Sequence, residues 1–319
     1  MKANNDIRNS LLHTLSSGEF CSGQHLAEHL GVTRAAISNH VKALQALGLD
    51  IFSLQGKGYR LSQPLSLLCE ETIQSQTKGN LIINSVVDST NQVIKDKHKE
   101  LPQGSVCLAE CQTAGRGRRG KVWQSPFGAN LYLSMLWRFD SGYQALDGLS
   151  LVIGLAVSNT LEQLYGLSAQ LKWPNDVYVN NKKLGGVLVE VEGQFGGACS
   201  TIIGIGLNVA MPKQIDIDQP WVDLTQILPH AINRNELAST LINTLRDTIA
   251  EFEKKGFSGF VAPWQKKNVF AERQVNLING KQVISGICVG IDERGGLLLK
   301  QEDKVTAHYG GEISVRSAE

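Results

Sequence analysis

The hydrophobic period changes twice along the chain, and this constrains its fold more than any other feature. Over residues 7–47, Leu11 and Leu12, then Leu26 and Leu30, then Ile37, Val41 and Leu44 recur at helical spacing. From about residue 80, apolar runs at 81–87, 106–109, 131–136, 171–173, 184–191 and 201–209 alternate with helical stretches near 89–97, 146–165 and 235–255. After Phe270 the helical signal ends, and short strands alternate with turns such as Asn279-Gly280 and Gly295-Gly296. One layered unit does not satisfy three such patterns, and 319 residues suffice for three cores. The expected architecture is an α/β (α+β) multidomain chain. It comprises a winged helix-turn-helix unit at 1–64, a mixed-sheet catalytic domain at 65–270 and a small β-barrel domain at 271–319.

In the first unit Ser22 and Thr33 each precede a helical run and can cap it, because a hydroxyl accepts from an unpaired first-turn N–H. If Ile37, Val41 and Leu44 face inward, then Arg34, Ala35, Ser38, Asn39 and Lys42 form a small, polar, cationic outer face suited to a DNA major groove, and Ser22 and Thr33 at the helix starts are expected to join them in binding DNA. Two strands around Gly56-Lys57-Gly58 would make a wing carrying Lys57 and Arg60. Any three-helix bundle has polar outer faces; the basic wing in the expected place tips the reading to DNA binding. His13, His25, His29 and His40 also fall here and read as surface residues rather than metal ligands.

The balance of 31 Lys and Arg against 30 Asp and Glu excludes a global electrostatic case for nucleic acid, so any basic site must be local. The polar, charged N-terminus does not suit a signal peptide, and the apolar stretch at 149–157 is about half a membrane span. No membrane partner is expected. Six scattered cysteines, Cys21, Cys69, Cys107, Cys111, Cys199 and Cys288, fit free thiols and a cytoplasmic protein.

The densest chemical signal is residues 112–121, Gln-Thr-Ala-Gly-Arg-Gly-Arg-Arg-Gly-Lys. It sets four cations in six positions among glycines that let a backbone approach a ligand. It is neither a phosphate loop of the Walker type nor a dinucleotide fingerprint. Trp123 and the following Ser125-Pro126-Phe127-Gly128 argue against a merely solvated basic turn. Lys172-Trp173-Pro174-Asn175-Asp176 ends a strand in a turn that displays an amide and a carboxylate; Asp176 could hold Mg2+ or a nucleophilic amine, or simply shape the turn. Lys182-Lys183-Leu184-Gly185-Gly186 sets a lysine before glycines and a strand, while Asp88-Ser89-Thr90-Asn91 and residues 204–208 supply neutral donors and acceptors.

In their order along the whole chain, DSTN, QTAGRGRRG, SPFGANLYLS, KWPND, KKLGG and GIGLN resemble the motifs of bacterial biotin protein ligases. With the winged helix, the chain is similar to those that also act as repressors of the biotin operon. The resemblance implies a biotin/lipoate ligase-like central domain, an SH3-like C-terminal barrel, and biotin and ATP as substrates with Mg2+. It implies ATP-dependent formation of biotinyl-5'-AMP, then transfer to a lysine of the biotin carboxyl carrier protein of acetyl-CoA carboxylase. It further implies that the adenylate-bound homodimer binds operator DNA, the central sheets pairing edge to edge, with Arg119 and residues 131–137 near the contact. A catalysis-free sensor, a ligase whose first domain is only a scaffold, and a lipoate ligase are the competing readings; the complete 115–120 loop, the cations of the winged helix and the GRGRRG and KWPND motifs oppose them in turn.

By the same resemblance, biotin would be held by Ser89, Thr90, Asn91, Gln112, Arg116, Gly117 and Arg118, by backbone at Gly115, Gly186 and Leu188, with Trp123 on its tail and Lys183 at its carboxylate. Arg118, Arg119, Gly120 and Lys121 would surround the phosphates, with Asn175, and adenine would lie near Asn208 and Trp221. Lys183, Arg118 and Asp176 would be catalytic, Asp176 as base or Mg2+ ligand. The segment 211–221 is short and acidic for this role, and Glu312 and Arg316 would support the site from the last domain.

Overall fold

A computed structural model of the chain describes residues 2–62, 64–193, 197–212, 215–310 and 313–318. Three helices come first, α1 (Lys2–Leu15), α2 (Gly23–Leu30) and α3 (Arg34–Ala46), followed by the hairpin β1 (Ile51–Leu54) and β2 (Gly58–Leu61). Ser22 Oγ accepts from His25 N at 3.1 Å and Thr33 Oγ1 from Ala36 N at 3.1 Å, so both capping expectations hold. Cys21 pairs with Tyr59 across two backbone hydrogen bonds and widens the wing; Gly58, at φ 100°, lies so close to the Cys21 carbonyl that no Cβ fits. The inward stripe Ile37, Val41 and Leu44 is buried with Leu11, Leu12 and Leu26. His40 is a correction: it is 8% exposed, because it continues the inward face of α3 beside Val41.

The central sheet draws on β3 (Leu81–Val87), β4 (Val106–Gln112), β5 (Asn130–Phe139), β6 (Gln170–Lys172), β7 (Asp176–Val179), β8 (Lys182–Gly193) and β9 (Cys199–Asn208), in the spatial order β3-β4-β5-β9-β8-β7-β6. Only β3 and β4 run parallel. The helices of this region are α4 (Glu70–Gln76), α5 (Thr90–Lys97), α6 (Leu149–Tyr165), α7 (Leu224–Ile227), α8 (Arg234–Lys255) and α9 (Ser258–Lys267). α6 is buried almost all round, which explains its lack of a polar face, and packs beside α8 over the sheet. No helix among the described residues is long and apolar enough to cross a membrane.

The last part forms β10 (Gln274–Asn279), β11 (Gln282–Ile291), β12 (Leu297–Gln301), β13 (Lys304–His308) and β14 (Ile313–Ser317), an antiparallel sheet ordered β13-β12-β11-β10-β14, as in an SH3-like domain. It is not a free appendage. Val275, Leu277, Cys288, Leu297 and Leu299 join the same core as the central sheet, and Trp173 Nε1 donates to the Gly295 carbonyl at 2.9 Å.

Four elements of the central region were not expected: α4, the single-turn α7, α9 and β7. α4 is only about two turns, α9 carries Pro263 inside it, and β7 follows directly on the Pro174 turn. A signal for β7 was present, since Asn180-Asn181, both at positive φ, is a two-residue hairpin turn into β8. Residues 131–137 also correct an expectation. They lie in β5, hydrogen-bonded to β4 on one side and β9 on the other, and so offer no edge to another sheet.

Candidate active site

A cleft of about 660 Å3 opens where the start of α5, the loop after β4, the β6–β7 turn, β8, β9 and β14 converge. Of the sequence-derived residues, Ser89, Thr90, Asn91, Gln112, Arg116, Gly117, Arg118, Arg119, Lys121, Trp123, Asn175, Asp176, Lys183, Gly186 and Leu188 line it. One end is neutral and pre-bonded. Gln112 Oε1 accepts from Thr90 N at 2.9 Å, its Nε2 donates to Ser125 Oγ at 2.9 Å, and Ser134 Oγ lies 2.7 Å from Thr90 Oγ1 and 2.5 Å from Asn91 Oδ1. Glu190, given no role in the sequence reading, accepts from Asn91 Nδ2 at 2.6 Å and from Arg116 Nη2 at 3.2 Å. Its carboxylate fixes both side chains before a ligand arrives.

The floor is flat because it is made of glycines. A Cβ on Gly206 would overlap the Trp123 indole and one on Gly204 the Asn91 amide, so the small residues of β9 are what seat these two side chains. The Lys183 ammonium lies 5.4 Å from the centre of the Trp123 ring and 2.8 Å from Asp176 Oδ1, in a pair whose side chains are 14% and 16% exposed. Arg118 Nη1 donates to Asn175 Oδ1 at 3.1 Å, and Asn175 Nδ2 to the Val187 carbonyl at 2.7 Å. Burial lowers the Arg118 pKa while nearby Asp176 opposes the shift. The arrangement sets fixed cations next to neutral hydrogen-bonding groups, as a reaction between two anions requires.

Lys172, another residue not selected from sequence, sits in the same wall with Nζ 3.0 Å from Tyr178 Oη. Burial lowers its pKa and raises that of Tyr178. Phe270 closes the cleft from the end of the central domain, and Arg273 and Arg316 bring the last domain to it; Glu312 lies outside the described residues.

Four sequence-derived residues do not line the cleft. Gly115 is enclosed by Trp123, Ser125 and Gln112, and Gly120 supports a turn at φ 70°. Asn208 is buried, its Nδ2 donating to the Val222 carbonyl at 3.2 Å. Trp221 lies in a segment that pairs by backbone with Lys183: Lys183 N donates to the Pro220 carbonyl and Val222 N to the Lys183 carbonyl, both at 3.0 Å. The acidity of the 211–221 segment has a partner, since Asp218 lies 3.7 Å from Lys121; Lys213 and Gln214 lie outside the described residues. Among the described residues no group of three or more His, Cys, Asp or Glu gathers as a metal cluster. Mg2+ in nucleotide sites takes one or two carboxylates plus phosphates, so the lone Asp176 fits a cation that arrives with ATP.

The profile of the Biotin/lipoate A/B protein ligase family matches residues 83–208, that of an HTH domain residues 8–60, and that of the Biotin protein ligase C terminal domain residues 271–316. The Bifunctional ligase/repressor BirA of Salmonella typhimurium is 46% identical over 97% of this chain and 98% of its own length. The Escherichia coli protein of the same name is 44% identical over 99% of both. The chain belongs to the biotin protein ligase family. A solved biotin protein ligase from Aquifex aeolicus in complex with biotin and ATP is 33% identical and superposes with a TM-score of 0.66, covering 75% of this chain and 99% of that one.

In this biotin protein ligase the HTH match coincides with a face the structure leaves open. Arg34, Ala35, Asn39 and Lys42 on α3 are exposed and Ser38 is half-buried. Lys57 is exposed at the wing tip, whereas Arg60 is half-buried, its guanidinium 4.9 Å from the Phe20 ring centre and 5.7 Å from that of Phe52. Ser22 and Thr33 stand at helix N-termini with their hydroxyls engaged as caps.

Proposed function

We propose that the protein activates biotin with MgATP to biotinyl-5'-AMP, transfers biotin to a lysine of the biotin carboxyl carrier protein of acetyl-CoA carboxylase, and in its adenylate-bound state represses a biotin operon. The observation that carries the reading is the Lys183–Asp176 pair over Trp123, set between the neutral Gln112–Thr90 end and the cations of the 115–121 loop. Ligase/repressor relatives matched along nearly their whole length support the coupling of the two activities in one chain.

In the first step a biotin carboxylate oxygen attacks the α-phosphorus, the bond to the bridging oxygen breaks, and pyrophosphate leaves with the electron pair. Thr90, Gln112 and Arg116 would hold the ureido ring and Trp123 the tail; Lys183 and Arg118 would stand against the reacting oxygens, where one such donor contributes roughly 10²–10³ in rate. Arg119, Lys121 and the 115–121 loop would close over the mixed anhydride and exclude water. Mg2+ would enter with ATP and meet Asp176. In the second step the acceptor amine loses a proton, and Asp176 orients or accepts it.

For repression, Arg34, Asn39, Lys42 and Lys57 would meet DNA, and a two-fold dimer would double those contacts. β8 supports an edge for that dimer, since it runs to Gly193 while its pairing with β7 ends at Gly186. The chain is divided as 1–64, 65–270 and 271–319, with Pro64 near the first junction, and six free cysteines support a cytoplasmic location.

The test is to incubate the protein with biotin, MgATP and a carrier domain, following pyrophosphate release and carrier mass, then to measure operator binding with and without adenylate. Pyrophosphate and biotinylated carrier are expected; neither, with biotin binding intact, overturns the ligase reading. Asp176→Asn should transfer a preformed adenylate slowly. Transfer at the unmodified rate with slow adenylate formation assigns Asp176 to Mg2+ instead.

A further inference from the structure

The cleft holds a cation that the roles assigned above leave unused. Lys172 ends β6 and faces Asp176 across the β6–β7 register, yet Asp176 already has Lys183 at 2.8 Å. Among the described residues no carboxylate lies within 4 Å of the Lys172 ammonium. Its partners are the Tyr178 hydroxyl at 3.0 Å, the face of that ring at 5.0 Å and the Phe270 ring at 5.7 Å. Aromatic faces and a phenol hold an ammonium in place without neutralising it, so its charge stays available to an anion.

The contacts set an order along the wall. Trp123 touches Lys183, Lys183 touches Asp176, Asp176 pairs with Lys172, and Lys172 meets Phe270, where Arg316 also lines the cleft. With biotin's tail on Trp123 and its carboxylate at Lys183, the α-phosphorus lies near Lys183, and the rest of the triphosphate must extend away from the biotin end. Beyond Asp176 along this wall the cleft is lined by Lys172 and by Arg273 and Arg316 of the last domain, and of these Lys172 is the one in register with Asp176.

We propose that Lys172 is a further catalytic residue of the adenylation step, binding the β- and γ-phosphates and taking up the charge of the departing pyrophosphate, with Tyr178 as its positioning residue. This rests on the ligase reading. The balance is that of the first step: the α-phosphorus gains the carboxylate oxygen and loses the bridging oxygen, and the added negative charge leaves on pyrophosphate. No proton is transferred, so a fixed cation suffices. The second step carries no pyrophosphate, and Lys172 has no part in it.

The experiment separates the half-reactions in the full-length protein, using biotin-dependent exchange of labelled pyrophosphate into ATP and, separately, transfer from preformed biotinyl-5'-AMP to a carrier domain. Lys172→Met should slow exchange about 100-fold, the scale for one lost charge-stabilising donor. Transfer should stay within about threefold, the scale of a change under 1 kcal/mol. Lys172→Arg should regain at least about tenfold in exchange, and Tyr178→Phe should raise the KM for pyrophosphate while leaving transfer unchanged. Unchanged exchange in Lys172→Met, or equal loss in both half-reactions, overturns the proposal; the second result would assign Lys172 to the carrier or to the fold. Absence of exchange in the unmodified protein overturns the ligase reading, and the proposal with it.

Discussion

Arg234 Nη1 meets Glu110 Oε2 at 2.6 Å in a pair that is almost wholly buried, at 2% and 7% side-chain exposure. The same guanidinium donates to the Ser66 carbonyl at 2.9 Å and the Asn130 carbonyl at 2.7 Å, while Glu110 Oε1 accepts from Leu68 N at 2.6 Å. The pair therefore ties the segment after the winged helix to α8 and to the start of β5. Asn130 in turn accepts from Val209 N at 3.0 Å, at the root of the 211–221 segment.

Removing one partner leaves a buried charge alone, which costs about 3–5 kcal/mol. Arg234→Met should lower the urea midpoint accordingly, and Arg234→Met with Glu110→Leu should recover most of the loss. A single variant as stable as the unmodified protein would show the pair is hydrated.

Gly206→Ala pushes a methyl into the Trp123 indole. Displacing the ring at an overpacking penalty of about 1–3 kcal/mol should weaken biotin binding by roughly ten- to a hundredfold. Titration calorimetry with biotin and tryptophan fluorescence follow it; the same substitution at open Gly259 serves as the control.

On the repressor reading, the exposed cations of the winged helix would act through phosphate contacts. Lys57→Ala and Arg34→Ala should each weaken operator binding and reduce the magnitude of the log–log salt slope by about one, with carrier biotinylation unchanged. Arg60→Ala differs, because the guanidinium packs on Phe20 and Phe52, so it should also lower the thermal midpoint.

Burial, assisted by the charge of Arg8, lowers the His40 pKa from its ordinary 6.5. The unfolded chain then binds a proton that the folded one refuses, so this contribution to stability is full above pH 6.5 and is lost as pH falls through the folded value. Thermal midpoints measured between pH 7.5 and 5 should fall more in the unmodified chain than in His40→Leu. Parallel curves would refute the assignment.

The parts legible in advance were those carried by a few neighbouring residues. Ser22 and Thr33 cap the helices they precede, Ile37, Val41 and Leu44 form the core stripe, and the basic loop and Lys183 could be picked out because their chemistry is contiguous. Glu190 was not legible, since it answers Arg116 from 74 positions away and looks like one more strand residue. Lys172 stood inside a recognised motif, yet its worth depends on Tyr178 and on Phe270, which arrives from the far end of the domain. Residues 131–137 misled for the opposite reason: an apolar run says that a strand exists, not whether its edges are occupied.

The sequence by itself determined the three hydrophobic periods, the caps and turns, the glycines that flatten the cleft floor, and the order of motifs that marks a biotin protein ligase. Tertiary structure alone decided which charges face one another: Lys183 with Asp176, Arg116 with Glu190, Arg234 with Glu110, and Lys172 left with rings and a hydroxyl. It also decided that Phe270 and Arg273 would join Arg316, which the resemblance had already placed at the site, in completing the cleft. The division has a physical cause. Propensity and periodicity act over one or two turns of chain, whereas the energy of a charge depends on the groups and water that packing brings to it from anywhere in the molecule.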